Sequence, residues 1–445
     1  MNTKKTILAV VADQSGEVFE HPDLLMAGMN GMTARAPEND ELIPLPAGSR
    51  LFTIPDTPPM GLDPATGTVK TVEQLPRSWG GGKIQAVSAF VSPAFTRTLL
   101  PAAAYSKKTT ELTLWAYTAV GWCVEEERFY VAAVRVDRNT QWQPDHFDDR
   151  ELEPLVRQRV AAQPDNRLIE QLSRCALDYH CFAAKNLFYG RWEAPLPCSP
   201  ICNARCVGCI SKQEAPDCCP SSQERLNFVP SVEELCQVAV PHLKTAENAI
   251  VSFGQGCEGD PILQTDTICA AVTQMRKQTA RGTINFNSNA SIPDCIDRLA
   301  AAGIDSIRVS MNSVQERYYN AYYRPQGYQF ADVIESIRRA KQNGLFTMLN
   351  YLVFPGMTDR ADEIDSLIRL IDETQIDLIQ MRNLSIDPAL YWDALQGSGQ
   401  GIGLVTMMKK LQDRFPDLQY GYFNRTRETF YPTNPQKKWP IDELP

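Results

Sequence analysis

The sequence lacks any apolar run approaching the roughly 18 residues of a membrane span, so no membrane partner is expected. Its opening is polar and basic from Met1 to Lys5, followed by the short apolar run Thr6–Ala12. That run is too short for a secretory signal with its cleavage site and reads as a first strand, so the expected location is cytoplasmic. Surplus positive charge is also missing: 44 Lys and Arg face 53 Asp and Glu, a net charge of −9. This excludes a protein that coats nucleic acid generally and makes a nucleic-acid partner unexpected. No repeat of 20–50 residues recurs, which excludes a solenoid. No cysteine follows Cys295, so the chain beyond it offers no thiolate ligands.

Cysteine is nevertheless abundant, with 13 residues, all but Cys123 and Cys295 lying between Cys175 and Cys269. In a chain of 445 residues with no secretory signal, they fit reduced thiols and metal ligation better than a disulfide framework. Cys202, Cys206 and Cys209 follow the spacing C-x3-C-x2-C. Thiolates so close in sequence can converge on one soft metal centre. A cubane iron–sulfur cluster normally takes four thiolates, so three would leave one iron open to a substrate. Zinc, or a group of buried thiols, is the alternative. Cys198, Cys218 and Cys219 flank the triplet as candidates for a second metal, with a spacing that matches no metal motif.

The length allows two domains. Residues 1–148 carry short β-like runs (Thr6–Ala12, Ser49–Ile54, Lys83–Val91) punctuated by prolines, and the pair Glu111–Trp122 and Arg128–Val136 reads as a hairpin. The expectation is a smaller, mainly β domain with Trp115, Tyr117, Trp122, Phe129 and Tyr130 in its core. Residues 149–196 read as a helical connector, with Leu168, Leu172, Ala176 and Tyr179 at helical spacing. From residue 197 to 422 strand and helix alternate. Strands are expected at Ala249–Phe253, Thr283–Asn287, Ser306–Ser310, Phe346–Phe354 and Asp377–Met381, with a capping box at Ser231–Glu234 opening one helix. This rhythm predicts a parallel sheet, and the strand count predicts a partial (β/α)6 barrel with its site at the strands' C-terminal ends. Residues 423–445 read as a tail.

The triplet and the strand ends that follow it resemble the radical S-adenosylmethionine (radical SAM) enzymes, over roughly Pro197–Tyr422. In that family the triplet holds a [4Fe–4S] cluster whose open iron chelates the amino and carboxylate groups of SAM. One residue departs from the pattern: Gly208 stands before the third cysteine, where an aromatic side chain is usual. The loop Phe253–Pro261 resembles the family's Gly-Gly-Glu-Pro segment, which holds the SAM amino group. Gly254 and Gly256 would let the ligand approach the backbone, while Glu258, ahead of Asp260, would accept from the ammonium. Asn287 and Asn289 resemble the Asn-Thr-Asn-Gly stretch near ribose and carboxylate, where amides both donate and accept. Ser310 matches a ribose contact, Asn312 stands where aspartate is common, and Gly356 resembles the glycine turn that cradles adenine. Asp359 beside it also reads as a helix N-cap. Cys257 is a candidate hydrogen-atom donor. Tyr318, Tyr319, Tyr322 and Tyr323 offer phenols or a substrate platform, with plain packing as the alternative.

The resemblance implies reductive cleavage of SAM to a 5′-deoxyadenosyl radical that abstracts hydrogen from a substrate. It also implies an electron donor such as a flavodoxin or ferredoxin. Three readings remain open: an enzyme acting on a peptide or protein recruited by the β domain, an enzyme acting on a small molecule, and a non-catalytic iron–sulfur or zinc protein using its barrel for binding.

Overall fold

The computed structural model describes residues 5–105, 111–213 and 219–431. Ile7–Ala12 lies centrally in a ten-stranded N-terminal sheet. It pairs with Val18–Leu25 along one edge, and with Val120–Cys123 and Gln85–Phe90 along the other. Arg128–Arg135 returns antiparallel to Val120–Cys123, with Trp122 opposite Phe129 and their rings 4.9 Å apart, the kind of cross-strand pair that pins register. The hairpin is shorter than the run Glu111–Trp122 suggests. Leu112 donates its amide to Asp387 Oδ2, and the Tyr117 hydroxyl donates to the Thr113 carbonyl, so this segment leaves the sheet for the barrel. Of the five aromatic residues expected in the core, Tyr117 and Tyr130 are buried, whereas Trp115 is 44% exposed. A second sheet joins Gly28–Asn30 to Thr33–Arg35 and Leu100–Pro101.

Three helices follow: α1 (Asp149–Ala162), α2 (Arg167–Leu177) and α3 (Phe182–Phe188). Asp148 caps α1 and Asn166 caps α2 by accepting backbone amides in the first turn. The chain then enters a seven-stranded, wholly parallel sheet. Its strands are β1 (Glu193–Pro195), β2 (Ile250–Phe253), β3 (Thr283–Ser288), β4 (Ser306–Met311), β5 (Phe346–Val353), β6 (Leu378–Asn383) and β7 (Gln419–Gly421), paired in that order. Helices α4 (Val232–Thr245), α5 (Thr265–Gln278), α6 (Pro293–Ala302), α7 (Glu316–Tyr323), α8 (Phe330–Gln342), α9 (Ala361–Thr374), α10 (Pro388–Ala394) and α11 (Leu404–Arg414) lie between the strands. The capping box of α4 is formed: Ser231 Oγ accepts the Glu234 amide, and Glu234 Oε2 accepts the Ser231 amide. A 3₁₀ turn over Pro261–Gln264 precedes α5. Six strands follow the cysteine triplet, the architecture of a partial β/α barrel.

Strand alternation sends one set of side chains to the helices and the other into the barrel. The inner set is layered. Phe346, Met348, Leu378 and Phe430 form an apolar floor, with the Phe346 and Phe430 rings stacked at 4.2 Å. Phe430, from the segment read as a tail, is therefore part of the floor. Above it lies a polar layer. Ser252 Oγ and Asn424 Nδ2 donate to Glu193 Oε1, Ser306 Oγ donates to Asn285 Oδ1, and Gln380 Nε2 donates to Asn424 Oδ1. The Glu193–Asn424 bond joins the two edges of the sheet by side chains, since β1 and β7 do not pair. The N-terminal region covers this seam. Trp142 stacks on Phe423 at 5.0 Å, Ala94 packs with Trp192, and Asp137 accepts the Tyr422 amide. An uncovered edge would be a template for pairing with another chain.

At the C-terminal ends of the strands the same region grips β5 and β6. Arg97, fully buried, donates to the carbonyls of Val353, Leu384 and Tyr117. Asn30 Nδ2 donates to Asp359 Oδ2, and the Gly31 amide to the Pro355 carbonyl. Asp359 is not the N-cap of α9, a position held by Arg360. Its carboxylate instead accepts from Asn30, Gly356 and Gly403. One continuous core runs from Leu100 and Val134 into the barrel helices. No helix of the described residues is long and apolar enough to cross a membrane.

Candidate active site

The three cysteines lie on the loop between β1 and α4, and three sets of contacts hold that loop. Its outer side runs along the end of α7: the amides of Arg205 and Val207 donate to the carbonyls of Tyr323 and Tyr322. Its inner side abuts the loop after β2, where the amides of Gly259 and Asp260 donate to the carbonyls of Ser199 and Ile201. A Cβ at Gly259 would overlap the Ile201 carbonyl, so only glycine permits this approach. The third contact is Glu258. Its Oε2 accepts the amides of Cys198 and Ser199 at 2.7 and 2.9 Å, and its Oε1 those of Gly254 and Gln255 at 2.7 and 2.8 Å. A carboxylate has about four lone-pair sites, and here all four are taken. Glu258 therefore clamps the two loops together and has no acceptor left for an ammonium group. Burial pushes its carboxyl up to about 7 against the pull of the four amides.

A cavity of about 140 Å³ opens where the two loops meet the strand ends. Of the residues singled out from the sequence, Cys202, Cys206, Gly254, Asp260, Asn287, Asn289, Ser310 and Tyr323 line it. Asp260 is buried, and its Oδ1 accepts from the Ser288 hydroxyl and the Ile262 amide. Its Oδ2 accepts the Asn289 amide alone, so acceptor capacity remains toward the cavity. Asn287 Nδ2 donates to the Phe253 and Gly254 carbonyls. Gly254 has φ +78°, and a Cβ there would overlap the Asn287 carbonyl. Ser310 Oγ accepts from Asn350 Nδ2.

The remaining candidates lie elsewhere. Gly256 faces Gln223 and Ile210. Cys257 is buried against Cys175 of α2. Asn312 donates to the Tyr318 carbonyl and the Tyr391 hydroxyl. Gly356 (φ +91°) presses against Gly31, where a Cβ would overlap backbone, so its turn serves packing against the N-terminal region. Cys218 lies outside the described residues. Tyr323 lines the cavity with a buried hydroxyl that has no partner. The run of tyrosines drew attention in the sequence, but spacing alone does not single out Tyr323. All four are buried. The position left open by Gly208 is taken by other side chains: a Cβ there would stand 3.1 Å from the Tyr322 hydroxyl and 3.2 Å from Ile386.

The donor set fits a thiolate-held cluster. Burial pushes the Cys202 thiol up to about 12 and that of Cys206 well above its usual range, in each case mainly through desolvation. Buried thiols ionise when a metal cation offsets that cost. Arg225 Nη2 donates to Cys209 Sγ at 3.4 Å, a second source of positive charge. Among the described residues, no three His, Cys, Asp or Glu side chains are grouped to hold a single metal ion.

Residues 196–371 match the family model of the Radical SAM superfamily. The chain is similar to the FeMo cofactor biosynthesis protein NifB of Klebsiella pneumoniae, at 25% identity over 226 residues, which cover 48% of this chain and 44% of NifB. It therefore spans less than half the length of that curated relative. Similar solved structures include Streptococcus suis SuiB bound to its precursor peptide SuiA (TM-score 0.37, 11% identity, 68% of each chain). Methylornithine synthase PylB is another (TM-score 0.36, 13% identity, 60% of this chain and 73% of that one).

Proposed function

Starting from a radical SAM domain at residues 196–371, we propose that this protein is an enzyme that cleaves SAM reductively and directs the resulting radical at a substrate held in its barrel. Such domains use a [4Fe–4S] cluster and SAM; when bound, the pair supplies a 5′-deoxyadenosyl radical. One observation carries the reading. The cavity brings Cys202 and Cys206 of the triplet loop together with Asp260, Asn289 and Ser310 of three strand ends, and these are the residue types a cluster and an amino-acid ligand need.

In this reading Cys202, Cys206 and Cys209 hold the cluster. Asp260, with its spare acceptor capacity, receives the SAM ammonium. Asn289 and Ser310 face the carboxylate and ribose. The cavity falls short of the roughly 300–1,000 Å³ that encloses a drug-sized ligand. It suits the aminoacyl end of SAM, with the nucleoside extending along the strand ends. The N-terminal region, gripping β5 and β6 through Arg97 and Asn30, closes part of the mouth against water. A flavodoxin- or ferredoxin-type donor would supply the electron, and the substrate would be a small molecule or a peptide.

The test is an anaerobic assay of cluster-loaded protein with a strong reductant and SAM, reading 5′-deoxyadenosine. The unaltered chain is expected to produce it. C202A/C206A/C209A should produce none and should lose its iron and sulfide, because the irons lose their thiolates. Retention of full iron and sulfide by the triple variant would overturn the assignment.

A further inference from the structure

Inside the barrel stand two arginines that the SAM pocket does not use, one on each side of the row formed by Ser310, Asn350 and Gln380. Inner side chains recur every second residue along a strand. Arg308 of β4 therefore lies on the same face as Ser310, one layer, or about 7 Å, nearer the floor. Arg382 of β6 belongs to the same inner set as Gln380, two residues nearer the mouth and in register with Leu352 of β5. Between them stands Asn350 of β5, in register with both Ser310 and Gln380.

Arg308 and Asn350 are under-satisfied for their position. A guanidinium carries five N–H donors, yet the hydrogen bond of Arg308 is a long one, Nη1 to Gln380 Oε1 at 3.3 Å. Its Nε is buried without a partner, as is Asn350 Oδ1. Arg382 donates Nη1 to the Tyr422 carbonyl and lies over that ring at 4.3 Å. Neither arginine forms an ion pair among the described residues. Burial and the neighbouring positive charge of Arg382 push the Arg308 guanidinium down to about 9. Glu193 is the carboxylate that acts on Arg308, and its Oε1 already accepts from Ser252 and Asn424. Glu193, already committed to Ser252 and Asn424, is a weak counter-ion for Arg308, and leaving a buried guanidinium N–H without a partner is costly.

We propose that Arg308 and Arg382 form an oxyanion subsite that seats a carboxylate or phosphate of the substrate inside the barrel, beside the SAM pocket. This rests on the reading of the pocket above it and names the substrate as an acid. Guanidinium forks match both oxyanions bidentately. The anion would anchor the substrate over the row of Ser310, Asn350 and Gln380 and present a carbon toward the cysteine loop. The apolar floor of Phe346 and Phe430 shuts the far end, so a ligand enters from the SAM side.

The test uses the full chain carrying its cluster and S-adenosylhomocysteine, titrated at low salt with inorganic phosphate or glutarate as probes, by calorimetry and by thermal shift. Saturable binding of at least one probe is expected, with the preferred probe distinguishing phosphate from carboxylate. R308Q and R382Q should each weaken it at least tenfold. R382K, which keeps the charge but loses the fork, should bind the probe more tightly than R382Q and guards against a folding artefact. SAM affinity should be unchanged in all three. Absence of saturable binding would overturn the proposal. So would a parallel loss of SAM affinity in R308Q, because the arginine would then serve the SAM carboxylate. If 5′-deoxyadenosine is never formed while the probes still bind through the arginines, the proposed function fails and the subsite stands.

Discussion

Arg97 donates through Nη2 to the carbonyl of Leu384 at 2.7 Å, from a side chain with no solvent exposure. Its burial lowers the guanidinium to about 10. The charge is held by three carbonyls, two of them at the ends of β5 and β6. The N-terminal sheet is thereby pinned to the strands that shape the barrel mouth.

Replacing Arg97 by Met should cost about 3 kcal/mol or more, because three buried carbonyls lose their donor. Denaturant unfolding monitored separately by N-terminal and barrel tryptophans would show one shared transition moving to lower midpoint. A chain starting at Asp149 would expose the core that Leu100 and Val134 share with the barrel, and it should aggregate or fail to hold a cluster. Stable, cluster-loaded protein from that truncation would show that the N-terminal sheet is an independent accessory.

Glu258→Gln and Asp260→Asn should separate two roles. The glutamine would turn an NH2 group toward two of the four amides now bound to Glu258, loosening the cysteine loop at a cost of about 2–4 kcal/mol. Iron content and thermal stability should both fall. Asp260→Asn should keep the cluster and weaken SAM at least tenfold, through loss of a charge-assisted bond. Equal SAM binding by D260N would move the ammonium contact to backbone carbonyls.

Gly208→Phe should lower cluster content, since its ring would collide with Tyr322 and Ile386. Adding Tyr322→Ala should recover part of the loss by vacating that space. If G208F alone is neutral, the loop has room that the packing does not show.

The Arg167–Glu234 pair sets a pH dependence of stability. Hydrogen bonds from Arg167, together with the Ser231 amide, hold the Glu234 carboxyl down at about 2 against an ordinary 4.5. A depressed carboxylate contributes stability above its unfolded value and loses it as pH falls toward the folded one. The loss should fall between about pH 4.5 and 2. The Arg167 side chain is 53% exposed, so solvent screening limits the effect to about 1 kcal/mol. E234Q should flatten that part of the pH–stability curve, read by thermal unfolding. An unchanged slope would assign the pH dependence to other carboxylates.

The alternation of strand and helix was legible in the chain itself. Short strand-like runs such as Ile250–Phe253 and Thr283–Ser288 alternate with segments of helical period, one of them opened by the capping box at Ser231, and both signals depend on neighbours in sequence. The cysteine triplet was legible for the same reason, its spacing being covalent. Tertiary structure alone decided which acid clamps and which faces the cavity. Glu258 and Asp260 are two residues apart, and what distinguishes them is whether the amides of Cys198 and Ser199, some 60 residues away, arrive at one carboxylate or the other. The same holds for the use of Gly356 in packing against the N-terminal region, and for the reach of Arg308 to Gln380 across the barrel. Local sequence sets periodicity and turn geometry. The satisfaction of a buried polar group depends on which distant donors the packed chain brings to it, and no local pattern encodes that.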